Sequence, residues 1–322
     1  MIVFLTTAAW KAALTSLTGR SFGCALPEIR VESYDRIARQ SQLPAATYVF
    51  CDLERLSGFE LQIAASLHHA IAATGLRTLN DPARVKLRYE LLRGLAARGI
   101  NPFNVYRCDD NPRPRRFPVF LRFETGHIKP LPALVPNQEA LDQTIDQLKR
   151  NGHVAAGMLA VEYAPTDHID GRWHKWGAFA VAGEAVLDHI AVDDSWLVKT
   201  GRWEMLTPAI IALEHQAVRD NRYAEFVAQA FAFANIEFGR ADFATAGGKA
   251  MLFEINTNPF IYDLRPDPHE LRRQTMETAR QRLAGALYRI DSGSSGTVEV
   301  QPDVILAYCR KTRPGVSIAP PW

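Results

Sequence analysis

The stretch from Phe238 to Pro259 reads FGRADFATAGGKAMLFEINTNP and decides the fold. Two runs rich in apolar and β-branched residues flank the pair Gly247–Gly248, which is typical of a β-hairpin. The strands are expected over residues 238–243 and 250–256. The second strand ends on a carboxylate, two asparagines and a proline, which is unusual for a strand that otherwise looks buried.

The register of this hairpin decides which polar side chains meet. A loop with three unpaired residues puts Asp242 opposite Glu254 and Arg240 opposite Asn256. A two-residue loop puts Asp242 opposite Phe253, on the wrong face of the sheet. Because a glycine pair suits a three-residue loop with a glycine at positive φ, we predict the three-residue loop.

Two acids and an amide would then converge on one face of the sheet. Strand alternation places Glu254 and Asn256 on the same face as Leu252, and Phe253 on the other. In the predicted register, Asp242 joins the first face. Three hard oxygen donors suit Mg²⁺, and opposed carboxylates repel each other without a cation. The alternative is a solvated polar face, or acids paired with nearby basic residues.

Composition indicates an ordinary globular protein. The chain has 322 residues, 47% of them hydrophobic and 22% charged, with a net charge of +2. A nucleic-acid partner is not implied. Its four cysteines follow no CxxC spacing, which favours a reducing, cytoplasmic location. The apolar N-terminus lacks a basic segment and is interpreted as a strand and a helix, and no apolar run approaches a membrane span.

Alternation of strand and helix signals divides the chain into four segments. Residues 1–78 are expected to form a small open α/β domain, and residues 79–153 a smaller subdomain. Residues 154–290 carry the hairpin, and residues 291–322 form a C-terminal extension. In open α/β domains ligands bind beyond the carboxyl ends of the strands.

With these elements in place, the chain resembles the ATP-grasp superfamily. FGRADF followed by LFEINTNP is similar to the metal-binding signature of that family, an acid on one strand and E-x-N-x-(N/S)-P on the next. Three upstream segments follow in the family's order: NDPARVKLRYELLRGLAARGINPF, FPVFLRF and AVEYA. The resemblance covers about residues 79–270. It implies two α+β subdomains that grip a nucleotide, preceded by a small open α/β domain.

The resemblance also implies roles for particular residues. The implied Mg²⁺ ligands are Asp242, Glu254 and Asn256. The implied nucleotide contacts are Lys86, Arg122, Glu162, Tyr163, Ala164, Asp170 and Lys199. Arg240 and Arg122 are the implied catalytic cations, and Asn258 and Arg265 are candidate substrate contacts. Two features depart from the family pattern: Arg122 stands where a lysine is usual, and the following loop, ETGHIKPLP, has only one glycine.

The implied activity is an ATP- and Mg²⁺-dependent ligase that joins a carboxylate to an amine through an acylphosphate. Small-molecule or peptide substrates are expected, with no membrane partner and a homodimer as one option. An ATP-dependent phosphotransferase on the same fold and a weakly active nucleotide-binding scaffold are the alternatives. The sequence leaves the two substrates and the oligomeric state undetermined. It also predicts that Glu254→Ala stops turnover while the fold stays near-intact.

Overall fold

A computed structural model describes residues 1–126, 130–131, 133–263 and 267–311, and of Arg20 only the backbone. In chain order the strands are β1 (Ile2–Thr6), β2 (Ile29–Ser33), β3 (Gln42–Pro44), β4 (Thr47–Phe50), β5 (Thr78–Leu79), β6 (Val105–Arg107), β7 (Val119–Phe123), β8 (Met158–Glu162), β9 (Trp173–Val181), β10 (Glu184–Asp193), β11 (Phe238–Ala246), β12 (Lys249–Asn256) and β13 (Thr297–Glu299).

The α-helices are α1 (Tyr34–Ala38), α2 (Gly58–Ala72), α3 (Arg88–Ala97), α4 (Gln138–Arg150), α5 (Pro208–Asp220), α6 (Ala224–Ala234), α7 (Glu270–Ile290) and α8 (Val304–Lys311). Four 3₁₀ segments, the longest being Ala8–Leu17, complete the described elements. Within the described ranges, no helix is both long and apolar enough to cross a lipid bilayer.

The N-terminal unit is an open parallel sheet with strand order β2-β1-β4-β5. All residues of β1 and β4 are buried, as expected for parallel strands covered on both faces. Helix α2 begins with a capping box, in which Ser57 and Glu60 satisfy each other's backbone N–H groups. The C-terminal segment joins this unit, because β13 pairs with β3 and α8 packs against α2.

The second unit is an antiparallel sheet of order β6-β8-β7, covered by α4. Leu141 and Ile145 of α4 pack into its core together with Leu121 and Met158. Strand β8 lies after the expected boundary at residue 153 but pairs with both β6 and β7. The sheet therefore continues across that boundary.

The third unit is an antiparallel sheet of order β10-β9-β11-β12, packed against α5, α6 and α7. The sequence suggests one long helix over residues 208–234, and this prediction is wrong. Asn221 takes the left-handed conformation (φ 49°) and separates α5 from α6. Its side chain bonds the backbone of Ala185 and Leu187, which ties the break to β10.

In the sequence, Asp81 suits a helix N-cap and Pro82 the first turn, but α3 begins later, at Arg88. Asp81 caps only an isolated turn, in which it bonds the N–H groups of Ala83, Arg84 and Val85. The chain is then extended at Leu87 (ψ −177°), and the Lys86 N–H bonds the Ala234 carbonyl. The first helical residue is therefore an arginine, and Lys86 precedes the helix.

The hairpin of β11 and β12 has the predicted register at its polar end. Asp242 lies opposite Glu254, and Arg240 lies opposite Asn256. The predicted three-residue loop is wrong, because Ala246 pairs with Lys249 across a two-residue glycine turn. Both glycines have positive φ, 56° and 74°, as a two-residue hairpin turn favours.

A β-bulge reconciles the short turn with the observed register. Pairing jumps from Asp242–Glu254 to Phe243–Leu252, which leaves Phe253 as an extra residue. The bulge also changes the faces: Leu252 packs with Phe243 and Ile255 in the main core. Leu252 is thus not on the face of Glu254 as alternation predicted, whereas Phe253 lines the same cleft as Glu254.

Asn101 holds the strand beside the bulge. Its side-chain oxygen accepts from the Leu252 N–H and its amide nitrogen donates to the Leu252 carbonyl, both at 2.9 Å. The side chain is buried, at 3% exposure. It therefore replaces the backbone of a further strand at this single position.

We expect Asn101→Ala to lower the free energy of unfolding by about 1–3 kcal/mol, because two buried backbone groups lose their partners. Urea unfolding followed by circular dichroism measures the change. Asn151→Ala is the matched control, since Asn151 is exposed at the end of α4. Equal stability of the two variants would show that Asn101 does not hold β12.

Candidate functional site

A cleft of about 400 Å³ lies between the two antiparallel sheets and is closed at one end by the N-terminal unit. The third unit contributes β9, β11 and β12, and the second unit contributes β7 and β8. Its polar lining includes Arg122, Lys175, Lys199, Arg240, Asp242, Glu254 and Asn256. A volume of this size is typical of a small-molecule site.

The predicted oxygen donors come together in this cleft. Asp242 and Glu254 are cross-strand partners, and Asn256 follows two residues later. Asp242 is 6% exposed. The side-chain oxygen of Asn256 accepts a hydrogen bond from the Asn258 N–H at 2.9 Å, which orients the amide.

Glu254 is paired with two arginines. One of its oxygens lies 2.6 Å from Arg88 and 2.8 Å from Arg122. The side chains of the two arginines are only 6% and 12% exposed. Arg88 also donates to the carbonyls of Phe123, Glu124 and Gly126, so it joins the start of α3, the end of β7 and the hairpin.

Asp242 is also paired with two cations. Lys175 of β9 donates to it at 2.8 Å, and Arg240 lies 3.3 Å away. Burial acts to lower the pKa of Arg240, but the combined attraction of Asp242 and then Asp188 raises that pKa overall. Arg240 therefore stays charged next to the acids.

More cations than acids take part in these ion pairs. The two carboxylates have four cationic ion-pair partners, of which Arg122, Lys175 and Arg240 line the cleft. Burial lowers the pKa of Arg122, and Glu254 counters that effect. A cavity wall of this kind attracts a polyanion such as a polyphosphate.

The donor chemistry fits a hard divalent cation. The described residues contain no group of three or more His, Cys, Asp or Glu side chains that could enclose a metal. The set is two carboxylates and one amide oxygen. Mg²⁺ is commonly bound by one or two carboxylates plus phosphate oxygens, so this set suits a metal that arrives with a phosphate ligand.

An aromatic wall borders the cleft on the side of the second unit. Trp196 packs against Phe120 and Tyr163, with ring centroids 5.1 and 5.5 Å apart. Val161 and Ala164 line the same side. A flat apolar surface of this kind suits a planar heterocycle.

Glu162 lies at this wall but its carboxylate is buried in the fold. The oxygens accept from the N–H groups of Asn104, Arg115 and Arg116 and from the Tyr106 hydroxyl. The Glu162 side chain is 2% exposed, so it does not lie on the solvent-exposed edge of the cleft. It anchors the loop before β7, so the strip Glu162–Ala164 borders the cleft in a fixed position.

The remaining predicted site residues fall in different places. The ammonium of Lys86 lies 5.0 Å from the Phe233 ring, and Lys86 is not among the side chains that line the cleft. Asp170 is exposed in the turn that joins Ile169 to Arg172. Lys199 lines the cleft, and its carbonyl accepts from Lys175. Arg265 lies outside the described residues.

Asp167, in the same loop as Asp170, accepts from the N–H groups of Gly247 and Gly248 at 2.8 and 2.9 Å. Those bonds, that of Gly248 first, lower its pKa. Asp167 thus holds the hairpin turn. Its carboxylate is engaged away from the acids.

Sequence analysis missed Lys175, Arg88 and Arg55. Lys175 could have been found, since it is a single charge in the otherwise apolar strand WHKWGAFAV. Arg88 could not be separated from other basic residues of the segment, because its role depends on where α3 begins. Arg55 lines the cleft from the N-terminal unit, which no local pattern indicates.

His174 makes the stability of the fold depend on pH. Burial is the main cause that lowers its pKa from 6.5 to about 4. The folded state therefore keeps His174 neutral in a range where the unfolded chain binds a proton. Stability is complete above pH 6.5 and falls by about 3 kcal/mol as the pH drops to 4.

We expect His174→Gln to flatten this part of the pH dependence, because the variant has no imidazole to protonate. Urea midpoints between pH 7 and pH 4 measure it. His153→Gln, at an exposed position, is the control and should retain the wild-type slope. An unchanged slope in His174→Gln would contradict the assignment to His174.

Glu254 stabilises two buried cations, and this changes the expectation for its removal. The sequence alone predicts a near-intact fold in Glu254→Ala. The buried ion pairs predict a loss of about 3 kcal/mol or more, because Arg88 and Arg122 remain without their carboxylate. A double-mutant cycle measures this link. Arg122→Gln should lower the free energy of unfolding less in the Glu254→Gln protein than in the wild type, and the difference, the coupling energy, should be about 1–3 kcal/mol.

Chemical unfolding of the four proteins of this cycle measures the coupling. Glu28→Gln is the control, since the Glu28–Arg30 pair is exposed and its loss should change stability by less than about 0.5 kcal/mol. Additive effects of the two cleft substitutions would contradict an energetic link between Glu254 and Arg122.

Comparison with known proteins identifies the fold. No protein-family model matches the sequence, and no curated protein matches it either. Among solved structures, the ATP-grasp ligase PsnB complexed with a minimal precursor is 11% identical, covers 89% of this chain and 98% of its own, and has a TM-score of 0.51.

Two further solved structures span similar lengths at lower scores. The D-alanine–D-alanine ligase of Bacillus anthracis, complexed with ATP, is 11% identical over 88% of this chain and 99% of its own, with a TM-score of 0.46. The RimK domain ATP-grasp protein of Sphaerobacter thermophilus is 16% identical over 91% and 100%, with a TM-score of 0.48. With its three units in the order described above, the chain has the ATP-grasp fold that the hairpin motif predicted.

Proposed function

We propose that the protein is an ATP- and Mg²⁺-dependent ligase that joins a carboxylate to an amine through an acylphosphate. The observation that carries this proposal is the pair Asp242 and Glu254, which are opposed on neighbouring strands, line one cleft and form ion pairs with four cations. Such a site can accept a polyphosphate and its metal together.

The nucleotide would lie along the cleft with its base on the aromatic wall. Phe120, Tyr163 and Trp196 offer the flat surface, and the strip Glu162–Ala164 borders it. The triphosphate would then extend toward the cations around Asp242. This orientation places the γ-phosphate at the end of the cleft closed by the N-terminal unit.

Binding would exchange the partners of the two acids. Asp242, Glu254 and Asn256 would hold Mg²⁺, which supplies charge neutralisation between the β- and γ-phosphates when it is bound. Arg122 and Lys175 would turn from the acids to the phosphate oxygens. Arg122 replaces the lysine usual in the family, and its guanidinium can bind phosphate through two N–H groups.

The reaction then depends on aligning the substrates, and it needs no covalent intermediate with a protein side chain. An oxygen of the substrate carboxylate attacks the γ-phosphorus, and the bond from that phosphorus to ADP breaks. The amine nitrogen attacks the acyl carbon, inorganic phosphate leaves, and the nitrogen loses a proton. Arg240 is placed to stabilise the negative charge that develops on the acyl oxygen. Exclusion of water protects the acylphosphate from hydrolysis.

The fold agrees with this proposal, since PsnB is an ATP-grasp ligase. The opposed carboxylates and the cleft also fit a phosphotransferase, and the products separate the two activities. A screen of pooled carboxylic acids and amines, with ADP and phosphate measured, should give release only when both an acid and an amine are present. A stable phosphorylated acid would identify a phosphotransferase, and ATP binding without turnover would identify a scaffold.

We expect Lys175→Met to lower kcat about 100-fold or more, because a preorganised cation is lost beside the transferred phosphoryl group. The phosphate-release assay measures the change at saturating ATP. Lys149→Met is the control, since Lys149 is exposed on α4. Wild-type kcat in a folded Lys175→Met protein would contradict its place in the phosphate site.

A further inference from the structure

A second group of aromatic residues lines the cleft at the end closed by the N-terminal unit. Trp10, Phe260 and Tyr262 all border it. Their exposures are 42%, 43% and 50%, which is high for large apolar side chains. The rings of Phe260 and Tyr262 lie 5.2 Å apart, tilted by 33°. We name Trp10, Phe260 and Tyr262 the distal wall.

The distal wall is built on two segments that are bonded to each other. Asn258 donates to the Trp10 carbonyl at 3.2 Å, and Ile261 donates to the Ala13 carbonyl at 3.0 Å. The Ser16 hydroxyl bonds the Ile261 carbonyl at 2.6 Å, and Ser16 is buried. The backbone under the exposed rings is therefore held in place, which is the condition for a preformed pocket.

Arg55 brings a guanidinium group to this end of the cleft, and its ion-pair partners are Asp52 and Glu54. Its guanidinium stacks on the Trp10 ring, 4.1 Å from the centroid. Its Nη1 pairs with Asp52, which is fully buried and is also bonded by Thr7. Within the described ranges, Nε and Nη2 of Arg55 have no protein hydrogen-bond partner. The guanidinium is thus fixed on one side and able to donate on the other.

Asn258 supplies a further polar group at the distal wall. It is 1% exposed and lines the cleft, and its side-chain oxygen is buried with no hydrogen-bond partner in the described part of the chain. A buried acceptor without a donor is unfavourable, and since an ionised carboxylate has no donor, the amine of the second substrate would be the group that supplies one.

We infer that the distal wall binds one substrate of the ligase reaction, and that this substrate is an aromatic carboxylate. Its ring packs against Trp10, Phe260 and Tyr262, and its carboxylate accepts from Nε and Nη2 of Arg55. This inference rests on the proposed function for the role of the bound molecule as a substrate.

The chemistry of the distal wall favours this class over others. The planar fork of arginine matches a carboxylate, and ring-on-ring packing adds stabilisation beyond simple apolar contact. The nucleotide has its own aromatic wall, formed by Phe120, Tyr163 and Trp196, so the distal wall remains for the other reactant. Asn258, beside the distal wall, also donates its backbone N–H to the side-chain oxygen of Asn256, a proposed metal ligand, at 2.9 Å. The distal wall is thus close to the proposed reacting end.

The test is direct binding to the full-length protein by calorimetry and saturation-transfer NMR, with 3-phenylpropionate as the probe. Two analogues each remove one feature: 3-phenylpropionamide lacks the charge and propionate lacks the ring. We expect 3-phenylpropionate to bind at least 10-fold more tightly than either analogue. Equal binding of the acid and its amide, or of propionate and 3-phenylpropionate, would overturn the inference.

Variants locate the binding at the distal wall. Arg55→Gln should weaken 3-phenylpropionate at least 10-fold and leave the amide unchanged, and Trp10→Leu should weaken both. Trp10→Leu also covers the case in which Arg55→Gln fails to fold, since Trp10 is partly exposed. The matched control is Trp203→Leu, at a tryptophan that is 80% exposed and does not line the cleft. Binding unaffected by Trp10→Leu would overturn the inference.

A separate titration with ATP and Mg²⁺ distinguishes the two proposals. If Trp10→Leu still binds ATP but no longer binds 3-phenylpropionate, the inference that the distal wall binds the acid is supported. ATP binding by the wild type without binding of 3-phenylpropionate would reject the distal wall and leave the nucleotide site standing. Absence of ATP binding in the wild type would reject the proposed function, while 3-phenylpropionate binding still reports on the distal wall.

Discussion

One extra residue in β12 governs the geometry of the candidate site. Side chains alternate along a strand, so a two-residue turn without a bulge would aim Phe253 at Asp242. The bulge at Phe253 shifts the alternation by one, brings Glu254 opposite Asp242, and lets Leu252 enter the main core. The acidic pair, its cations and the shape of the cleft all depend on this local irregularity.

The two acids of the cleft are paired with cations when no ligand is bound, and a ligand can rearrange these pairs. Glu254 and Asp242 each engage two cations, so neither acid is buried alone. Buried pairs of this kind add little net stability, although breaking one is costly. A polyphosphate with its metal offers each partner a replacement. The arrangement is therefore consistent with a site that holds its charges ready for exchange.

The sequence predicted the motif-bearing parts well and the placement of long side chains poorly. The pairing of Asp242 with Glu254 is as predicted, but a bulge at Phe253 produces it and not the three-residue loop on which the prediction rested. Lys86 was judged by its position in a segment, yet the direction of its side chain depends on the Lys86–Ala234 backbone bond, a tertiary contact. Arg55 and Trp10 enter the cleft from a unit about 200 residues away from the hairpin. No local pattern encodes such distances.

The Asn101 side chain has a consequence for how a peptide could approach this protein. Strand β12 lies at the border of its sheet, where unpaired backbone groups usually invite another chain to add as a further strand. At Leu252 those groups are already taken by Asn101. Pairing of β12 with the same strand of a second molecule is thus hindered at Leu252, in the middle of the strand. An extended peptide could therefore not pair continuously with β12 as a further strand, and the cleft would be its route to the site.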